Sequence, residues 1–189
     1  PGDDLRSINW KMSAHLGKPY VRTKTGEEST GVGIIMDSCR YSNNPSDYLP
    51  LENKILETAL AVSYYHLSNG ITTNIHTFEK TAKQYHLQGI SSFEDFYAAM
   101  SDFSFDENST LNKLFKSANT ANITSCSMVY LIVHEINDDA LFMVNELTKN
   151  QTPVVIYHVC EDTGKDSVNI GKNTIVKRIG YEDRLKEVL

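Results

Sequence analysis

The residues Gly31-Val32-Gly33-Ile34-Ile35-Met36-Asp37 form an apolar run that ends in a carboxylate. The run lacks the alternation of a strand that keeps one face in water. A continuous apolar run between turn-forming segments is typical of a parallel strand covered on both faces. It therefore predicts a central strand of an α/β domain, with Asp37 at its carboxyl end.

Other segments indicate further strands of the same sheet. The strongest are two more apolar runs, at residues 127–133 and 153–160. Residues 71–78 alternate in polarity, as a half-buried strand does. Residues 84–87 and 174–179 are shorter candidates.

Helical patterns lie between these strands. They cover residues 3–16, 51–67, 92–100, 108–117, 138–149 and 181–189, whereas 38–50 is predicted to be a loop. Strands that alternate with helices indicate a mainly parallel sheet with helices on both faces. We therefore predict a three-layer α/β fold, with an additional helix and a short strand at its amino terminus.

Composition and charge disfavour several classes of function. The chain has 189 residues, 40% of them hydrophobic and 22% charged, which suits a soluble globular domain. Its net charge of -6 and the lack of a basic run argue against nucleic acid as a partner. Three widely spaced cysteines favour a reducing compartment. Because the chain begins at Pro1 without an initiator Met, we expect it to be part of a longer protein.

Polar residues follow the predicted strands at one edge of the sheet. Asp37 follows the first strand, Thr110 opens a helix, and His134-Glu135 follows the strand at 127–133. Ligands of open α/β sheets bind outside the carboxyl ends of the strands. Two carboxylates and a hydroxyl are the oxygen ligands that Mg²⁺ prefers. The alternative is structural: Asp37 caps a loop, Thr110 starts a helix, and His134-Glu135 faces solvent.

The amino-terminal segment carries a family resemblance. Gly2-Asp3-Asp4-Leu5-Arg6-Ser7-Ile8-Asn9-Trp10-Lys11 resembles the signature of the bacterial "domain of unknown function 58" family, with a Gly-Asp pair, an Arg and a Trp-centred run. Arg22 falls where the family has its Val-Arg. The signature residues are thus Gly2, Asp3, Arg6, Trp10 and Arg22. We place a signature segment at residues 1–28 and the main domain at 29–189.

The resemblance implies a von Willebrand factor A-like domain of Rossmann-like architecture. Such domains carry a metal-ion-dependent adhesion site with the pattern Asp-x-Ser-x-Ser, where this chain has Asp37-Ser38-Cys39-Arg40-Tyr41. A Cys is a soft ligand that suits Mg²⁺ poorly, and Tyr41 is bulkier than Ser. We therefore expect a degenerate site: Asp37, Thr110 and Glu135 bind metal weakly or not at all. Weak Mg²⁺ binding stays open, and no other cofactor is expected.

The expected function is a non-enzymatic scaffold that binds another protein. The expected binding residues lie in the loops that follow the strands at this edge of the sheet: Cys39, Arg40, Tyr41, Ser42 and His134. The resemblance implies a bacterial, cytoplasmic module, either soluble or the cytoplasmic part of a membrane-anchored protein, that acts with a MoxR-type AAA+ ATPase. The alternative is an uncharacterised hydrolase, or a metal-dependent binding protein, that uses Asp37 and the strand-end loops. Cys39 with His66, His134 or His158 would be its nucleophile and base.

Overall fold

The structure, a computed structural model, describes residues 31–107, 109–120, 123–161, 170–171 and 173–185. These residues form six strands and four α-helices. The strands are β1 (Val32–Met36), β2 (Thr73–Glu79), β3 (Thr81–Leu87), β4 (Met128–Val133), β5 (Val154–Cys160) and β6 (Thr174–Gly180). The helices are α1 (Pro45–Ser68), α2 (Ser91–Ser101), α3 (Leu111–Thr120) and α4 (Asp138–Lys149). The helix and strand predicted at the amino terminus, the signature residues and the predicted boundary after residue 28 lie outside the described residues.

The six strands form one sheet in the order β3-β2-β1-β4-β5-β6. All neighbouring pairs are parallel except β2 and β3, which are antiparallel at one edge. The chain builds outward in one direction from β1 to β3, and in the other direction from β4 to β6. The order therefore reverses between β1 and β4, and in such sheets the crevice at the reversal point is the usual ligand site.

Alternate residues of the strands build two separate apolar layers. In β1, Val32, Ile34 and Met36 pack with α1 and α2, whereas Ile35 packs with α3 and α4. The same alternation divides β4 and β5 between the two layers. Each central strand is buried on both faces because helices cover both sides of the sheet. This arrangement confirms the predicted three-layer, mainly parallel α/β fold.

The predicted loop at residues 38–50 was too long, because α1 begins at Pro45. The Asn44 side chain accepts a hydrogen bond from the Ser46 backbone N–H at 3.3 Å and so caps the helix. Proline is tolerated in the first turn, where its missing N–H would have no helical partner. Pro50 lies inside the helix. The sequence pattern missed this start because Asn and Pro also mark loops.

Other elements differ from the prediction at their ends. β3 is longer than the predicted 84–87, because its antiparallel pairing continues to Thr81. The helix expected from residue 108 or 109 begins at Leu111, with Thr110 before it. At the carboxyl terminus, where a helix was expected from Tyr181, residues 181–182 form a turn and Leu185 is helical; residues 186–189 lie outside the described part. Among the described segments, no helix has the length and apolar character needed to cross a membrane.

Candidate functional site

The candidate site lies where the strand order reverses. Asp37 directly follows β1 and His134 directly follows β4, so adjacent parallel strands deliver both residues to the same edge. The backbone N–H of Asp37 donates to the carbonyl of Ile132 at 2.9 Å, which continues the strand pairing up to the site. The register of β1 and β4 therefore brings together two residues that are 97 positions apart in sequence.

Asp37 and His134 form a largely buried ion pair. The Asp37 carboxylate is only 2% exposed, and its Oδ2 lies 2.6 Å from Nδ1 of His134. Its other oxygen, Oδ1, accepts the backbone N–H of Cys39 at 3.1 Å. Burial by itself lowers the pKa of His134, but the hydrogen bond and the charge of Asp37, helped by Glu135, outweigh it and leave the pKa raised. The raised pKa favours the protonated form of this imidazole beside the Asp37 carboxylate.

Two further contacts fix the orientation of the His134 ring and loop. Tyr41 stacks on the ring, with centroids 5.5 Å apart and an interplanar angle of 21°. His158, near the end of β5, places its Nε2 3.1 Å from the His134 carbonyl oxygen. His134 is thus held from the loop after β1 and from a neighbouring strand.

The hydroxyl groups near this edge have structural partners. Thr110 is exposed, and its Oγ1 accepts the backbone N–H of Lys113 at 3.3 Å, as a helix cap does. Ser38 and Ser109 are buried, and their hydroxyl oxygens lie 3.1 Å apart. Ser38 Oγ also accepts the backbone N–H of Phe78 at 3.1 Å. The pair Ser38 and Ser109 joins the loop after β1 to the segment before α3 and to strand β2, and it was not among the predicted site residues.

The loop after β1 carries the other predicted binding residues. Arg40 donates two hydrogen bonds to the Glu52 carboxylate, at 2.8 and 2.9 Å, and its guanidinium lies 4.2 Å from the Tyr48 ring centroid. Cys39 is half-buried, and burial, then the charges of Asp37 and Asp106, raise the pKa of its thiol. The Ser42 hydroxyl donates to an Asp47 carboxylate oxygen at 3.2 Å.

These contacts limit what chemistry the site can perform. A nucleophilic cysteine needs a lowered pKa, so the raised pKa of Cys39 opposes thiolate chemistry. Glu135 lies exposed beside His134. Within the described segments, no group of three or more His, Cys, Asp or Glu side chains is arranged to hold a metal ion.

An open depression of about 280 Å³ lies beside the same loop. It is lined by Arg40, Glu79, Lys80, Ser104, Phe105, Asp106 and Glu107. The backbone of residues 38–40 pairs with Asp106, since Asp106 N–H donates to Ser38 O at 3.0 Å. The depression is therefore attached to the loop that carries the candidate site, and its lining mixes charges of both signs.

Comparison with known families agrees with the resemblance found in the sequence. The family described as "Protein of unknown function DUF58" matches residues 1–89. This match confirms the family resemblance; it covers the signature residues and continues through β1, α1, β2 and β3. No curated protein matches the sequence.

Solved structures that resemble this one include those of two proteins. One is proximal thread matrix protein 1 from the mussel byssus, in two crystal forms, with 13% identity and a TM-score of 0.49. The match covers 80% and 82% of this chain in the two forms, and this chain spans only 42% of the mussel protein. The other is an aerotolerance-related membrane protein from Bacteroides fragilis NCTC 9343 with multiple mutations to serines. Its identity is 12% and its TM-score 0.47, over 84% of this chain and 79% of that one.

Proposed function

We propose that this chain, matched to the DUF58 family over its first 89 residues, is a non-enzymatic protein-interaction module whose metal-ion-dependent adhesion site is degenerate. Its binding face is the carboxyl end of the sheet, around the loops that follow β1 and β4. In this proposal the His134 imidazole takes the place of the metal ion beside Asp37.

The ion pair between Asp37 and His134 is the observation that carries the proposal. A Mg²⁺ site needs several oxygen ligands in near-octahedral geometry, and here one Asp37 oxygen lies 2.6 Å from a nitrogen of His134. The other oxygen already accepts a backbone N–H. A metal ion at Asp37 would have to displace an imidazole of raised pKa. The residues of this chain therefore do not fit a tightly bound Mg²⁺.

The contacts of the other candidate ligands support the same conclusion. Thr110 caps its own helix, and Cys39 and Tyr41 stand where the adhesion pattern has serines. The raised pKa of the Cys39 thiol argues against a cysteine hydrolase at this edge. Binding, rather than catalysis, is the function that this arrangement suits.

The proposed partner is a MoxR-type AAA+ ATPase, and the proposed setting is the bacterial cytoplasm, either as a free protein or as part of a membrane-anchored one. Both follow from the family resemblance. The net charge of -6 supports a protein partner over nucleic acid.

Calorimetric titration with Mg²⁺ and Mn²⁺ tests the loss of the metal site. We expect no saturable binding by the wild-type chain, and the same for Asp37→Asn. Replacing the imidazole in His134→Ser should expose the carboxylate and permit weak binding, whereas His86→Ser, on the exposed strand β3, serves as the control. Tight wild-type binding that disappears in Asp37→Asn would show a working adhesion site and contradict the proposal.

Binding to the purified MoxR-type ATPase from the source organism tests the interaction. We expect association in biolayer interferometry without nucleotide, and we expect it to be unchanged by EDTA because no metal bridges the two proteins. An association that EDTA abolishes would favour the metal-dependent alternative. No association at all would remove the ATPase as the partner.

A further inference from the structure

Tyr41 is an exposed aromatic side chain that the structure holds rigidly at the binding face. Its side chain is 46% exposed, although its ring stacks on His134. Its hydroxyl donates to the backbone carbonyl of Asp47 at 2.6 Å. An aromatic ring fixed in this way loses little conformational entropy on binding, which is why tyrosine is enriched at binding surfaces.

Besides the His134 ring that stacks on it, the charged groups that act on Tyr41 are carboxylates. Burial raises the pKa of the Tyr41 phenol, and the neighbouring charges of Asp47, Glu161 and Glu52 raise it further. Glu52 is neutralised by Arg40, but Asp47 and Glu161 are both exposed. Glu135 adds a further exposed carboxylate next to His134. Among the described residues, this part of the face therefore combines an open aromatic ring with carboxylates.

The same loop already holds one arginine by this combination of groups. Arg40 lies over the ring of Tyr48 at 4.2 Å and donates two hydrogen bonds to Glu52. A guanidinium group suits such a setting because it stacks on aromatic faces and binds carboxylates with two parallel donors. Tyr41, with Asp47 and Glu161 nearby, offers the same groups to a side chain from outside.

We propose that the partner protein inserts an arginine side chain at this surface, on the solvent-facing side of Tyr41 and beside Asp47 and Glu161. The inference rests on the proposed function and specifies the charge of the partner. A metal-bearing adhesion site receives an acidic group of its partner through the cation. In this chain the exposed carboxylates of Asp47, Glu135 and Glu161 surround that place, so the surface suits a basic group of the partner.

A peptide titration tests the charge preference on the full chain. The probes are fluorescein-labelled peptides with four Arg-Gly, Lys-Gly or Glu-Gly repeats, followed by fluorescence anisotropy at low salt. We expect the arginine peptide to bind several-fold more tightly than the lysine peptide, because ammonium lacks the planar fork and stacks less well. The glutamate peptide should not bind. Equal binding of the arginine and lysine peptides, or stronger binding of the glutamate peptide, would overturn the inference.

Variants locate the binding. Glu161→Gln, Asp47→Asn and Tyr41→Leu should each lower the affinity for the arginine peptide roughly fivefold. Tyr97→Leu and Glu94→Gln are matched controls, because both alter exposed residues of α2, away from this loop. Circular dichroism checks that Tyr41→Leu is folded. If it is not, the isosteric variants Glu161→Gln and Asp47→Asn are sufficient to test the surface. Equal losses in the controls would show non-specific attraction and contradict the assigned surface.

The same variants separate the inference from the proposed function. If the ATPase binds the wild type and Glu161→Gln equally well, the interaction module stands and the arginine inference fails. If the ATPase does not bind while the arginine peptide still depends on Tyr41 and Glu161, the surface stands and the proposed partner fails.

Discussion

At the scale of single residues, polar side chains are buried beneath α1 as well as at the candidate site. His66 Nε2 lies 2.9 Å from the Tyr130 hydroxyl, inside the apolar layer between α1 and the sheet. Burial lowers the pKa of His66 to about 4 and raises the pKa of Tyr130. Both groups are therefore neutral at pH 7. The other ring nitrogen of His66, Nδ1, has no hydrogen-bond partner within the described part of the chain.

This contact predicts the effect of Tyr130→Phe. Removal of the hydroxyl leaves both nitrogens of a buried imidazole unsatisfied, which costs about 1–3 kcal/mol in the free energy of unfolding. Urea denaturation followed by circular dichroism measures the change. Tyr64→Phe, on the exposed face of α1, is the control and should change stability by less than about 0.5 kcal/mol. Similar losses in both variants would contradict the role assigned to the buried contact.

At the scale of elements, the start of β1 depends on a glycine. Gly31 has a φ of +71°, and a Cβ atom there would lie 2.2 Å from the carbonyl oxygen of Thr72. That carbonyl accepts the backbone N–H of Val32 at 2.9 Å, so it cannot move away without loss of strand pairing. The close approach of two backbones at this point sets the register of β1 against β2.

Gly31→Ala should therefore destabilise the domain by more than the conformational cost alone. Gly70 is a matched control, because it has the same φ of +71° but a Cβ added there would meet no atom within 4 Å. Gly70→Ala should cost about 1–2 kcal/mol, the left-handed penalty of a non-glycine residue. Gly31→Ala should lower the free energy of unfolding by clearly more than Gly70→Ala in the same urea experiment. Equal costs would mean that the Thr72 carbonyl does not constrain the strand.

At the scale of the whole molecule, buried histidines determine how stability depends on pH. Burial lowers the pKa values of both His66 and His76 to about 4, from an unfolded value of 6.5. The unfolded chain therefore binds more protons below pH 6.5, and stability falls as the pH is lowered towards 4. His134 changes stability with pH in the opposite direction. Its raised pKa adds stability at acidic pH, and this contribution is lost as the pH rises through the pKa of the folded state. The two buried histidines dominate below pH 6.5.

Unfolding free energies at pH 7.5 and pH 5 test this dependence. Each of the two buried histidines should lower the free energy of unfolding by about 2 kcal/mol at pH 5 relative to pH 7.5. His76→Leu should remove its share of the pH-dependent loss, whereas His86→Gln, at an exposed site, should leave the dependence unchanged. A wild-type domain that is as stable at pH 5 as at pH 7.5 would contradict the burial of these imidazoles.

Local sequence patterns determined the layered architecture and the family resemblance. The runs that became β1, β4 and β5 are apolar throughout, because both faces of a central strand must be buried, and that requirement is visible in any single stretch. The alternation of such runs with helical patterns then indicated the α/β class. The amino-terminal signature, confirmed by the family match over residues 1–89, likewise depends on neighbouring residues. The start of α1 was not predicted, because Asn44 and Pro45 are equally typical of a loop and of the first turn of a helix.

Only the tertiary structure decided which side chains meet. Asp37 was singled out from its place at a strand end, and the metal and binding roles assigned around it stay predictions. Its ion pair with His134, however, depends on β1 and β4 being neighbours, and the contact between Ser38 and Ser109 spans 71 positions. Sequence spacing carries no information about such contacts, because the order of strands in the sheet is set by packing of the whole chain. Local sequence patterns therefore determine the fold class, whereas the candidate site forms only when the strands pair in the assembled sheet.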